Sequence, residues 1–161
     1  MQISKNFPQF NLNQSLIIVA SKHAAVFYQA QQGALNKIHD FELKSQKYSD
    51  KEGFFQNSGK GQVFRTGSVL NDEHTRIKAE FLQKFEKQIN NLKKNLKQSQ
   101  HIFLFAPDYL MTSLEEKIHR VLQKKPNVST FPGNFLKHHP NKLLKKINQQ
   151  MDQKIKKARQ S

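Results

Sequence analysis

The chain has 161 residues, 36% of them hydrophobic, which is enough to close one core and therefore one domain. Its 27 Lys and Arg stand against 12 Asp and Glu, a formal charge of +15 with a pI near 10.1, so the expected partner is a polyanion: nucleic acid or an anionic membrane surface. No cysteine is present, which excludes disulfides, thiolate catalysis and cysteine-based zinc sites, and fits a reducing, cytoplasmic setting.

Residues 1–14 are polar, with Pro8, and read as a flexible lead-in. No apolar run there is long enough for a signal peptide, and none anywhere approaches the ~20 residues of a spanning helix, so no membrane insertion is expected. Ser15 to Ala20 is a short, continuous, β-branched run, the pattern of a strand covered on both faces. Ala24 to Ala30 gives a second strand and Gln31-Gln32-Gly33 a turn. Leu35, Ile38, Phe41 and Leu43 mark a third strand, in which Ile38 breaks strict alternation. Three strands on short connections predict an antiparallel meander. Residues 44–68 hold many turn formers and few large aliphatics, a long connection of the kind that carries function or disorder.

Asn71-Asp72-Glu73 opens the longest helix, with Asn71 as N-cap and an apolar stripe of Ile77, Phe81, Phe85, Ile89, Leu92 and Leu96. Its lysines read as a solvated face. His101 to Ala106 is a second buried strand, ended by Pro107-Asp108. Thr112 with Glu115, and Ser113 with Glu116, form overlapping capping boxes for a helix that places Leu114, Ile118, Val121 and Leu122 on one side. Asn127 to Phe131 is a candidate last strand, and Pro132-Gly133 turns the chain. The final segment spaces Leu143, Leu144, Ile147, Met151 and Ile155 as one helical stripe. Around it stand Lys137, Lys142, Lys145, Lys146, Lys154, Lys156, Lys157 and Arg159, with Asp152 the one acid. Such a helix lies on nucleic acid or a membrane surface, or packs its stripe on the sheet and turns a charged back outward; the membrane option is weaker, because the stripe lacks a large aromatic anchor. The expected fold is α/β: a mixed five-stranded sheet in the order β-β-β-α-β-α-β-α, with right-handed crossovers in its parallel half. Residues 15–135 form one domain and 136–161 a basic amphipathic tail.

Catalytic signatures are few. No carboxylate pair has suggestive spacing, adjacent His138 and His139 make a poor ligand pair, and no G-x-S-x-G elbow is present. Gly59-Lys60-Gly61 lacks the Ser or Thr that completes a nucleotide-binding loop. Neither a metal nor a cofactor is expected. What remains is Asn57-Ser58-Gly59-Lys60-Gly61-Gln62-Val63-Phe64-Arg65, preceded by Gly53. It combines backbone freedom (Gly53, Gly59, Gly61), cations for phosphates (Lys60, Arg65) and an aromatic, Phe64, that either stacks a base or packs beside the helix.

Three passages resemble a known family. Leu16 to Phe27 is similar to an opening strand, polar turn and second strand; Ser49-Asp50-Lys51-Glu52-Gly53 to a Ser-Asp-x-x-Gly connection; and Ile102-Phe103-Leu104-Phe105-Ala106-Pro107-Asp108-Tyr109-Leu110 to an apolar strand, Ala-Pro, then Leu run. In that order they resemble the middle domain of the archaeal and eukaryotic class I release factor and Pelota superfamily, and within it the bacterial host attachment protein family. The resemblance implies that Gly59-Lys60-Gly61-Gln62 stands where release factors carry a Gly-Gly-Gln loop. Here Lys60 interrupts the glycine pair. It therefore implies a ribosome-associated, rRNA-binding factor that silences idle ribosomes without catalysis. Its partners would be ribosomal RNA, with tRNA or a delivering translation factor as further candidates. Two alternatives stay open: peptidyl-tRNA hydrolysis with Gln62 as the catalytic residue, and a surface attachment role as the family's label implies.

Overall fold

Leu16 to Ala20 offer apolar side chains to both sides, and a run of that kind is stable only where both faces of a strand are covered. The computed structural model describes residues 1–11, 14–43, 69–93, 99, 101–122 and 127–159, with the side chains of 69–74 left aside, and it puts this run at the centre of the sheet. In chain order the elements are β1 (Ser15–Ala20), β2 (Ala24–Gln31), β3 (Ala34–Glu42), α1 (Val69–Asn91), β4 (His101–Ala106), α2 (Asp108–Leu122), β5 (Asn127–Pro132) and α3 (Pro140–Ala158). The strand order is β3-β2-β1-β4-β5. The β1-β2-β3 half is an antiparallel meander and the β1-β4-β5 half is parallel, so the fold is the mixed five-stranded α/β sheet expected from the sequence.

Side-chain parity divides the core. Even-numbered positions of β1 and β4, among them Leu16, Ile18, Ile102 and Leu104, point to the face covered by α1 and α2. There Phe81, Phe85 and Ile89 meet Leu110, Leu114 and Ile118, and Phe27 stacks on Phe85 at 5.8 Å. Odd-numbered positions point the other way: Ile17, Val19, Phe103, Phe105 and, on β5, Phe131 receive Leu143, Leu144 and Ile147 of α3. Phe105 and Phe131 stack at 4.3 Å on this second face. Each such side chain contributes roughly 1.5–3 kcal/mol on leaving water.

The structure explains one local expectation and corrects others. Ile38 breaks the alternation of β3 because it is the extra residue of a bulge: Phe27 pairs with His39 and Tyr28 with Lys37, leaving Ile38 unopposed. The slip lets Leu35 and Phe41 serve opposite faces of the sheet while sharing odd numbers. α2 starts at Asp108, not at the Thr112 and Ser113 capping boxes, which lie inside it. Pro107 ends β4 and its carbonyl accepts from the Leu110 N–H at 3.0 Å, so the proline punctuates a strand-to-helix turn with no further residues needed. α1 likewise begins at Val69, ahead of Asn71.

The lead-in is packed where it is described. Gln2 bridges to Ala34, Ile3 is buried, and the Ile3 N–H donates to the Gly33 carbonyl at 2.7 Å. The Gly33 N–H donates back to the Gln9 carbonyl at 2.6 Å. Gly33 sits at φ +70, which a residue with Cβ adopts only at a cost, and a Cβ there would meet the Gln9 side chain at 2.9 Å. The segment is thus strapped to the β2–β3 turn, and it brings Phe10 edge-on to Phe103 at 6.1 Å.

Candidate nucleic-acid interface

α3 is positioned by its own sequence. His139 caps it, its Nδ1 accepting the Asn141 N–H at 3.3 Å, and Pro140 stands in the first turn, where its missing N–H costs nothing. Leu143, Leu144 and Ile147 anchor the first half on the second face of the sheet. From Met151 to Arg159 every side chain is exposed, so the last two turns reach past the edge of the core. Lys156 and Lys157 lie in the last turn, where cations are favoured by the helix dipole.

All eight cations expected as RNA-binding on this segment, Lys137, Lys142, Lys145, Lys146, Lys154, Lys156, Lys157 and Arg159, are exposed. α3 itself carries six cations against one carboxylate, Asp152, whereas α1 and α2 together carry six cations against seven carboxylates. Among the described helices, the excess of cations is therefore on the α3 side of the sheet. On the other face cations are spent locally. Lys117 and Arg120 both engage Glu86, and the hydrogen bond from Lys117 holds that carboxyl below its ordinary range. Lys84 donates to the Glu42 carbonyl at 3.1 Å and lies 5.3 Å over the Phe41 ring. Lys78 reaches the Tyr109 carbonyl at 3.4 Å. These two α1 lysines, read as solvated, are partly structural.

The other candidate residues, Gly53, Gly59, Lys60, Gly61, Gln62, Phe64 and Arg65, lie outside the described residues. Sequence reasoning missed a second feature. At the start of the parallel strands, under the overhanging end of α3, an open cleft of about 800 Å³ lies between α3 and the strapped N-terminal segment. His101 and Ser129 stand on the odd-numbered face, in line with Phe103, Phe105 and Phe131, where the pattern would call for apolar side chains. His101 stacks on Phe103 at 4.4 Å, and its Nε2 lies 2.9 Å from Ser129 Oγ. Lys154 donates to the same Oγ at 3.3 Å. Burial, and then the Lys154 charge, hold the His101 imidazole below its ordinary pKa, which favours a neutral ring accepting the Ser129 hydroxyl proton. The signal was available as two polar interruptions of equal parity on neighbouring strands.

Among the described residues no three His, Asp or Glu side chains cluster as metal ligands, and no helix is long and apolar enough to cross a membrane.

No family model and no curated protein matches the chain. Solved structures show distant similarity, three of them as follows. The archaeal translation termination factor aRF1 is 14% identical with a TM-score of 0.43, over 75% of this chain and 31% of that one. An Alp12 filament structure is 12% identical with a TM-score of 0.43, over 76% and 43%. A Ppx/GppA family member from Aquifex aeolicus is 13% identical with a TM-score of 0.35, over 73% and 35%. The chain spans less than half the length of each of these proteins.

Proposed function

We propose that this domain binds ribosomal RNA through the outward side of α3, and that it acts on translation by occupancy and not by catalysis. In this reading residues 15–135 form the body, 136–161 the clamp on phosphates, and the connection carrying Lys60, Gln62 and Arg65 reaches a functional centre of the ribosome, keeping idle particles silent. The observation that carries it is the charge division: six cations to one carboxylate on α3, six to seven on the opposite helices. A uniformly basic protein would adhere anywhere. A one-sided one presents a defined surface to a polyanion and is steered to it face first. The sequence resemblance to release-factor middle domains supports the ribosome as that polyanion.

The test is sedimentation of purified protein with ribosomes. Cosedimentation at low salt and release at high salt are expected, with log K falling by about 0.7–0.9 per phosphate contact for each unit of log salt. Protein that stays in the light fractions at low salt refutes the reading.

A further inference from the structure

The cleft beneath α3 opens on the same side as the basic helix, and its chemistry differs from that of the helix. Among the described residues none that lines it is a carboxylate. Its walls are Phe10, Phe103, Met151 and Ile155, and its rim carries the amides of Asn127 and Gln150. Met151 and Ile155 continue the stripe that anchors α3, yet they are 41% and 49% exposed, because the sheet ends before they can pack on it. Lys154 stands between them with its ammonium over Ser129. Apolar walls suit the face of a planar ring, side-chain amides can both donate to and accept from a polar ring edge, and a cation at the mouth suits a phosphate. The cleft volume lies within the range of small-ligand sites.

We propose that this cleft is a nucleobase subsite. It takes one unpaired base of an RNA strand whose phosphates run along α3, and so gives the interface a preference for single-stranded over duplex RNA. The proposal rests on α3 being an RNA-binding surface. A base inside a duplex is held in its stack and its edge is paired, so it cannot enter; a base in a loop or a frayed end can. The His101–Phe103 stack forms the floor, and the Ser129 hydroxyl, fixed between His101 and Lys154, keeps the ammonium at the mouth.

The experiment measures fluorescence anisotropy of the full chain with a labelled eight-nucleotide single-stranded RNA, the same strand with a single abasic site placed at each position in turn, and the corresponding duplex. Two variants carry the same charge change on exposed positions of α3: Met151→Glu inside the cleft and Gln149→Glu outside it. Circular dichroism checks that both fold. Expected are tighter binding of the single strand than of the duplex, a loss of about tenfold at one abasic position, disappearance of that loss in Met151→Glu, and a weaker effect of Gln149→Glu. Equal binding of strand and duplex with no abasic penalty, or equal effects of the two variants, overturns the subsite while leaving α3 as an RNA surface. Binding of none of the RNAs at low salt overturns the reading of α3 as well. If an apolar dye such as anilinonaphthalene sulfonate binds and is lost in Met151→Glu, with no abasic penalty, the cleft belongs to a protein side chain and the proposal fails.

Discussion

The two faces of the sheet use lysine in opposite ways. On the α1/α2 face, Lys84 holds its ammonium over the Phe41 ring and donates to a backbone carbonyl, and Lys117 meets Glu86. There the charge closes the structure. On the α3 face the apolar anchor is complete by Ile147, and of the cations that follow Lys154 reaches back to Ser129 while Lys156 and Arg159 stand exposed at the end of the helix. Composition gives one number, +15; among the described helices it is unequally shared, with α1 and α2 together near neutrality and α3 strongly basic. A basic protein is thus better described by where its acids are than by how many cations it has.

The largest expected effect follows from this division. Reversing Lys145, Lys146, Lys156 and Lys157 to Glu should lower RNA affinity by orders of magnitude at low salt and flatten the salt dependence by about 0.7–0.9 per removed phosphate contact. Reversing Lys78 and Lys87 on α1 should change it less than threefold, or roughly 0.7 kcal/mol. Equal losses in a filter-binding assay would dissolve the contrast between the faces. Next in size is Ile147→Ala, which removes a fully buried anchor of α3 and should cost about 2–5 kcal/mol in denaturant unfolding. A neutral outcome would show that α3 is not held by its stripe.

Smallest, and most selective, is the response to acid. His101 has its folded pKa depressed, so the unfolded chain takes up the proton first, and stability should fall as pH drops below the ordinary 6.5. Glu86 is a carboxyl held low by Lys117, so its contribution is present above the ordinary 4.5 and is lost as pH falls below that value. The α3 face should therefore weaken before the α1/α2 face. Melting temperature against pH should lose its upper slope in His101→Gln and part of its lower slope in Glu86→Gln. Coincident loss of both slopes in either variant would mean the two faces titrate as one.

Strands β1 and β4 were legible to the residue, because a β-branched or aromatic run buried on both sides has little other use. The stripe of α3 was legible too, as was its charge. The start of α2 was not: Thr112 and Ser113 with Glu115 and Glu116 satisfy a local rule, but Pro107 already ends β4, and helix geometry fills the interval once Leu110 finds the core. The packed lead-in was hidden by its polarity and by a misleading pattern: Ile3, Phe7 and Phe10 have helical spacing, yet Pro8 interrupts it and the segment runs as a strap across the β2–β3 turn. The cleft was hidden for a different reason. His101 and Ser129 become meaningful only when the register of β4 and β5 puts them beside Phe103 and beneath Lys154, which no local pattern encodes.

α3 is synthesised after all five strands, and it is the cover for Ile17, Val19, Phe103, Phe105 and Phe131. Until its first two turns leave the ribosome, every nascent copy shows that aromatic face to its surroundings, with the antiparallel half and the opposite helices already free to form. Closure of the second core thus waits on α3, and a premature stop in the codons for Pro140 to Ile147 would yield a chain with a folded front and a sticky back, the form that chaperones and proteases meet first.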